Sequence, residues 1–123
     1  MTERAVTLPL PPSMNNLFGN QPRFLRGIKN GGGRYKMPAY KAWLTEAGFM
    51  LKIEPKWRVP GHIRLSLFLP AKMRGDASNR IKVVEDLLVK HGRIDDDRNV
   101  VELRVTKTWA DPATCRVVVE PVP

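Results

Sequence analysis

The chain has 123 residues, 42% hydrophobic and 27% charged, which fits one ordinary globular domain over residues 1–123 and excludes bulk disorder. No run approaches the roughly 18 apolar residues of a membrane-spanning helix, the first residues lack the basic-then-apolar pattern of a signal peptide, and a single cysteine, Cys115, excludes an internal disulfide or a cysteine-rich zinc site. A cytoplasmic protein is expected, and its formal charge of +9 favours a polyanionic partner, nucleic acid or an anionic membrane surface.

Ala5 to Leu10 reads as a short strand, with Pro9 pointing to an edge position and Pro11-Pro12 ending it. From Ser13 to Pro38 the pattern is irregular, and Asn15-Asn16, Gly19-Asn20, Pro22 and Asn30-Gly31-Gly32-Gly33 are turn and loop chemistry. This stretch holds Arg23, Arg26, Lys29, Arg34 and Lys36 and no acid. It is either a solvated basic loop or an arm that neutralises phosphates, with Phe18, Phe24 or Tyr35 to stack on bases.

Tyr40, Trp43, Leu44, Ala47, Met50 and Leu51 recur at the spacing of one buried helical face, so a helix is predicted over 40–52, ended by Pro55. Glu54-Pro55-Lys56 has a nuclease-like E-x-K shape, but the proline argues against a catalytic strand there. Trp57, between Lys56 and Arg58, reads as exposed. Residues 62–69 alternate Ile63, Leu65, Leu67 and Leu69 with His62, Arg64, Ser66 and Phe68, a half-buried strand closed by Pro70. A second helix is predicted from Ser78, a good N-cap, to Lys90, with Gly92 as its stop. Asp95-Asp96-Asp97 then leads into a strand over 100–109, with Val101, Leu103 and Val105 on one face, and 116–120 is a last short strand. Trp43 and Trp109 read as core, Cys115 as a buried small apolar residue, and His91 as a helix-end histidine facing the dipole.

The charge is unevenly spread. Residues 1–75 carry 13 basic and 3 acidic residues, residues 76–123 carry 8 basic and 9 acidic, and seven acids fall between Asp76 and Glu102. On the second helix Ile81, Val84, Leu87 and Leu88 form one side, while Ser78, Lys82, Glu85 and Asp86 share an opposite arc of about 100°. Asp76 precedes this helix and the aspartate triplet follows it, so a return of the chain brings the triplet beside the polar arc. Clustered carboxylates repel unless a cation sits among them, and an all-oxygen cluster suits Mg²⁺, which keeps waters for a substrate. Such an ion activates water on a phosphodiester, and Lys82 would stabilise the charge that develops. The plainer alternative is a solvated face with Lys82–Asp86 as an i, i+4 pair.

Asp76-Ala77-Ser78-Asn79-Arg80-Ile81-Lys82, then Glu85-Asp86-Leu87-Leu88, Gly92 and Asp95-Asp96-Asp97 resemble the core motif of RusA-type Holliday junction resolvases. Leu8-Pro9-Leu10-Pro11-Pro12-Ser13-Met14-Asn15 is similar to the family's opening, Tyr40-Lys41-Ala42-Trp43 fits its first helix, and Lys107 fits a lysine late in the strand after the acids. The resemblance spans nearly the whole chain. It implies a small single-domain α+β fold with a mixed sheet packed with helices, a homodimer, and Mg²⁺-dependent endonuclease activity on four-way DNA junctions during recombination and repair. Members are often carried by phages and prophages. By position, Asp76 and Asp97 become metal-binding and catalytic carboxylates, Lys82 the catalytic lysine, and Asp96 a neighbouring metal-side carboxylate. Lys72, Arg74, Arg34, Lys36, Asn15 and Lys107 become the expected DNA contacts. One departure stands out: Ser78 occupies the place of the family's second metal-binding aspartate. Either Glu85, on the same arc, compensates as a ligand, or the chain is a junction-binding protein with weakened or lost catalysis.

Overall fold

In the computed structural model the described residues are 3–12, 18–20, 34–36, 38–74 and 78–123, with backbone alone at 18–20, 34–36, 78 and 79. In chain order they form β1 (Arg4–Pro9), β2 (Phe18–Asn20), β3 (Arg34–Lys36), α1 (Pro38–Ile53), β4 (Ile63–Pro70), α2 (Ser78–Lys90), a 3₁₀ turn (Asp97–Asn99), β5 (Val100–Trp109) and β6 (Thr114–Pro121). This is the small α+β domain with a mixed sheet that the sequence predicts. None of the helices described is long and apolar enough to cross a membrane.

The main sheet runs β1-β6-β4-β5. β6 lies between β1 and β4 and is antiparallel to both, whereas β5 is parallel to β4. Parallel neighbours need a crossover, and α2 supplies it. Val6 and Leu8, Ile63, Leu65, Leu67 and Leu69, and Cys115, Val117 and Val119 alternate onto one sheet face and are buried there. Tyr40, Trp43, Ala47 and Leu51 of α1 and Val83, Val84, Leu87 and Leu88 of α2 complete the core. Trp43 Nε1 also donates to the Pro9 carbonyl at 2.8 Å, fixing α1 on the edge strand β1.

Three expectations change. The stretch read as irregular contains β2 and β3, paired antiparallel with Gly19 opposite Tyr35, so Gly19-Asn20 lies in a strand rather than a turn. Trp57 is buried, because the segment after α1 is extended and alternates: Trp57 and Val59 point inward while Lys56, Arg58 and Pro60 point out. Trp109 is only half-buried, at the far end of the edge strand. Leu103 and Val105 stand opposite the core residues Leu65 and Leu67 of β4, while Val101 falls at a register shift between Val100 and Glu102; Val101 is 51% and Leu103 43% exposed. β5 is the outermost strand, and the helices stop short of covering it.

Two buried arginines, which no periodicity signals, tie the layers together. Arg93 donates to the carbonyls of Leu51 (2.7 Å) and Trp57 (3.0 Å) and lies 5.3 Å from the centre of the Trp57 ring. It thereby satisfies an otherwise orphaned carbonyl in the last turn of α1. Arg80 donates from Nε to the Pro11 carbonyl at 2.8 Å, anchoring the head of α2 to the chain leaving β1.

Candidate active site

The polar arc of α2 faces the chain that returns toward β5, and the contact between them is short. Lys82 Nζ lies 2.6 Å from Asp97 Oδ2 and 3.2 Å from Asp86 Oδ1. Asp86 is one turn further along α2, whereas Asp97 is brought in by the 3₁₀ turn. Both carboxylates accept hydrogen bonds from the ammonium and raise its pKa above the ordinary lysine value. The same bond from the Lys82 ammonium holds Asp97 below the usual aspartate range.

Glu85, half-buried on the same arc, is pushed up, first by burial and then by the negative fields of Asp97 and Asp86, with Lys82 acting in the opposite sense. A carboxyl whose charge is disfavoured by dry surroundings and like neighbours gains most from a cation. The Asp86 charge also acts on Tyr40 of α1, whose hydroxyl pKa is raised first by burial and then by that carboxylate.

The three aspartates do three different things. Asp95 accepts from Arg58 Nε at 2.9 Å and from the Gly61 backbone N–H at 3.1 Å, an anchor that closes the turn before β4. Asp96 caps the 3₁₀ turn, accepting from the Arg98 backbone N–H at 3.1 Å. Only Asp97 turns to Lys82. Arg58, 37 residues before Asp95, carries no signal in the sequence.

Of the other expected site residues, Asp76 and Asn15 lie outside the described residues. Ser78 is the first residue of α2, and Arg34 and Lys36 bound β3, opposite Asn20 and Phe18. Lys72 and Arg74 are exposed just past the end of β4. Lys107 is exposed on β5, opposite Leu69 and so on the helix side of the sheet. Among the described residues no three carboxylate, histidine or cysteine groups converge tightly enough to hold a metal. The carboxylates nearest Lys82, Glu85, Asp86 and Asp97, offer only hard oxygens, the chemistry of a magnesium-like ion rather than of zinc. His91 and Cys115 take no part: the His91 ring packs against Gly48, and burial pushes the Cys115 thiol up to about 12.

Residues 19–120 match the family model for endodeoxyribonuclease RusA. The chain is also 32% identical over 107 residues to a crossover junction endodeoxyribonuclease RusA from Shigella sonnei, a match covering 87% of this chain and 84% of that protein.

Proposed function

This chain belongs to the RusA family of endodeoxyribonucleases, and from that premise we propose a Mg²⁺-dependent homodimer that resolves four-way DNA junctions by paired nicks, acting in the cytoplasm with residues 1–123 as one nuclease domain. It is a hydrolase of phosphodiester bonds. In this reading Asp76 and Asp97 are the principal metal carboxylates, with Glu85 and Asp96 beside them. Lys82 is the catalytic cation, and Lys72, Arg74, Arg34, Lys36, Asn15 and Lys107 contact the DNA. The observation that supports it best is the meeting of Lys82 with Asp97 beside the half-buried Glu85.

Once bound, a divalent ion lowers the pKa of a water and offsets charge on the attacked phosphate. The protein's own contribution is positional. Two carboxylates keep Lys82 protonated, so it always arrives as a cation. Asp97 would be a ligand of the divalent ion, and Asp86, one helical turn beyond Lys82, would still hold the ammonium, leaving Lys82 to donate to a non-bridging or leaving oxygen of the phosphate. Arg80 fixes the head of the helix that carries Lys82, and Asp95, locked by Arg58 and Gly61, fixes the turn that carries Asp97.

The direct test is a synthetic four-way junction with and without Mg²⁺. Wild type nicks two opposed strands symmetrically only with the metal, and Asp76→Asn abolishes the nicks while retaining junction binding. Equal action on linear duplex, or cleavage by Asp76→Asn at the wild-type rate, overturns the reading.

The serine at position 78 gives a second expectation. If Glu85 supplies the missing charge, Glu85→Gln lowers cleavage at limiting Mg²⁺ by about 10-fold or more, the scale expected when one oxygen ligand weakens a site. Ser78→Asp in that background restores it. A Glu85→Gln enzyme with an unchanged Mg²⁺ titration removes Glu85 from the metal.

A further inference from the structure

At the end of the sheet where β4 and β5 finish, the described residues frame a pocket of about 460 Å³, walled by Leu10, Pro70, Met73, Trp109 and Pro112 with Lys72 beside them. That volume is within the roughly 300–1,000 Å³ of small-ligand pockets. The walls come from separate stretches of chain that backbone hydrogen bonds tie down. The Leu10 N–H donates to the Ala113 carbonyl at 3.0 Å, the Ala71 N–H to the Trp109 carbonyl at 2.9 Å and the Met73 N–H to the Pro70 carbonyl at 3.1 Å. The Trp109 ring is held as well. Its Nε1 donates to Thr114 Oγ1 at 2.9 Å, and that hydroxyl donates to Asp111 Oδ2 at 2.9 Å. Asp111 also accepts from the Ala113 N–H at 2.9 Å, so its charge is engaged by the turn between β5 and β6. An indole fixed in this way is a preformed flat wall, and little ordering is left to do when something is laid on it.

Its neighbours indicate what that something is. Thr106 and Thr108 meet through their hydroxyls at 3.1 Å, which leaves the alternate residues Lys107 and Trp109 together on the helix side of the sheet, the side where α2 carries Lys82. The opposite wall, Pro70 to Met73, opens the connection that runs through Asp76 into α2. Two lysines accompany the pocket, Lys72 in its lining and Lys107 two residues before Trp109, and among the described residues no carboxylate lines it. Cations for the backbone beside an aromatic face for a base are the parts of a site for an unpaired nucleotide.

We propose that this pocket takes one nucleobase unstacked from the DNA and laid on the Trp109 indole, with the flanking phosphates on Lys72 and Lys107. The proposal rests on the junction-resolving reading above and adds to it a residue that selects the shape of the substrate. Inside a linear duplex every base is paired and stacked, and taking one out is costly; the cost is least where pairing or stacking is already disturbed. The crossover of a four-way junction is such a place. Apolar walls offer a stacking surface and no pattern of donors and acceptors, and every base has a face to stack. The pocket therefore favours branched over linear DNA without reading a base sequence.

The test is equilibrium binding without Mg²⁺, so that nothing is cut, of a synthetic four-way junction and of a linear duplex with the same arms. Trp109→Leu is expected to weaken junction binding by about 10-fold, within the range of one base–aromatic stack. Duplex binding, carried by phosphate contacts, stays within about 2-fold. Trp109→Phe recovers most of the junction affinity. Both variants lose the bond to Thr114, so the difference between them reads the ring and not the stability of the turn. In wild type, an abasic nucleotide walked outward from the crossover lowers affinity by about the same factor at one position. At that position Trp109→Leu adds nothing further, the mark of two changes that remove one contact. The abasic series needs wild type alone and decides the matter even if Trp109→Leu does not fold. Trp109→Phe binding as weakly as Trp109→Leu, abasic junctions that all bind like the intact one, or losses that simply multiply, overturn the pocket and leave the resolvase standing as long as wild type cuts the junction. A wild type that binds and cuts linear duplex as well as junction overturns both.

Discussion

Lys82→Ala is expected to lower single-turnover cleavage of a four-way junction by 100-fold or more, since removing one preorganised donor from a transition-state oxygen typically costs about 10²–10³. Junction affinity should change by less than about 3-fold, because one phosphate contact among many is a small share of backbone binding. The unfolding midpoint should not move. Lys82 is 57% exposed, and exposed ion pairs contribute about 0–1 kcal/mol. Lys82→Arg restores the charge without the compact ammonium and is expected to recover little, because a planar fork presents its donors along different directions. Full activity in Lys82→Ala would show that the Lys82–Asp97 contact is an ordinary surface pair.

The opposite profile is expected at Arg93. Arg93→Ala removes the donors to two buried carbonyls, at about 1–3 kcal/mol each, and takes away the side chain stacked on Trp57. The combined loss is about 3–5 kcal/mol, a large part of the 5–15 kcal/mol that typically holds a domain. It is read as a lower denaturant midpoint at unchanged slope. Whatever remains folded should cleave at the wild-type rate, since Arg93 touches none of the polar arc. A shift below about 1 kcal/mol would mean that water replaces the guanidinium at both carbonyls.

Comparing the two positions shows what the sequence can disclose. α1, β4 and α2 carry unambiguous periodicities and lie within two residues of where those periodicities place them. The polar arc was legible for the same reason, and its meeting with the aspartate triplet follows from the chain's need to return after α2. The division of labour within Asp95-Asp96-Asp97 was not. It depends on Arg58 reaching across from a distant loop and on a cap geometry that exists only once the turn has formed. Arg93 and Arg80 read as ordinary surface charges, because burial of an arginine is decided by which carbonyls surround it. Trp57 misled through its charged neighbours, although in an extended segment those neighbours point the other way. For β5 the alternation was visible and its coverage was not, since coverage depends on sheet order.

That order also constrains how the molecule comes into being. β6, the latest strand in the chain, occupies an interior place between β1 and β4, and its pairing with β1 joins Arg4 to Val119. Until residues 114–121 exist, β1 has no neighbour in the sheet and β4 has β5 alone. Contacts of such long sequence separation are slow to form. During synthesis, therefore, the four-stranded platform beneath α2 and the 3₁₀ turn is complete only once β6 has joined β1 to β4. The strand that joins the two halves of the sheet is thus the last of the described strands to be made.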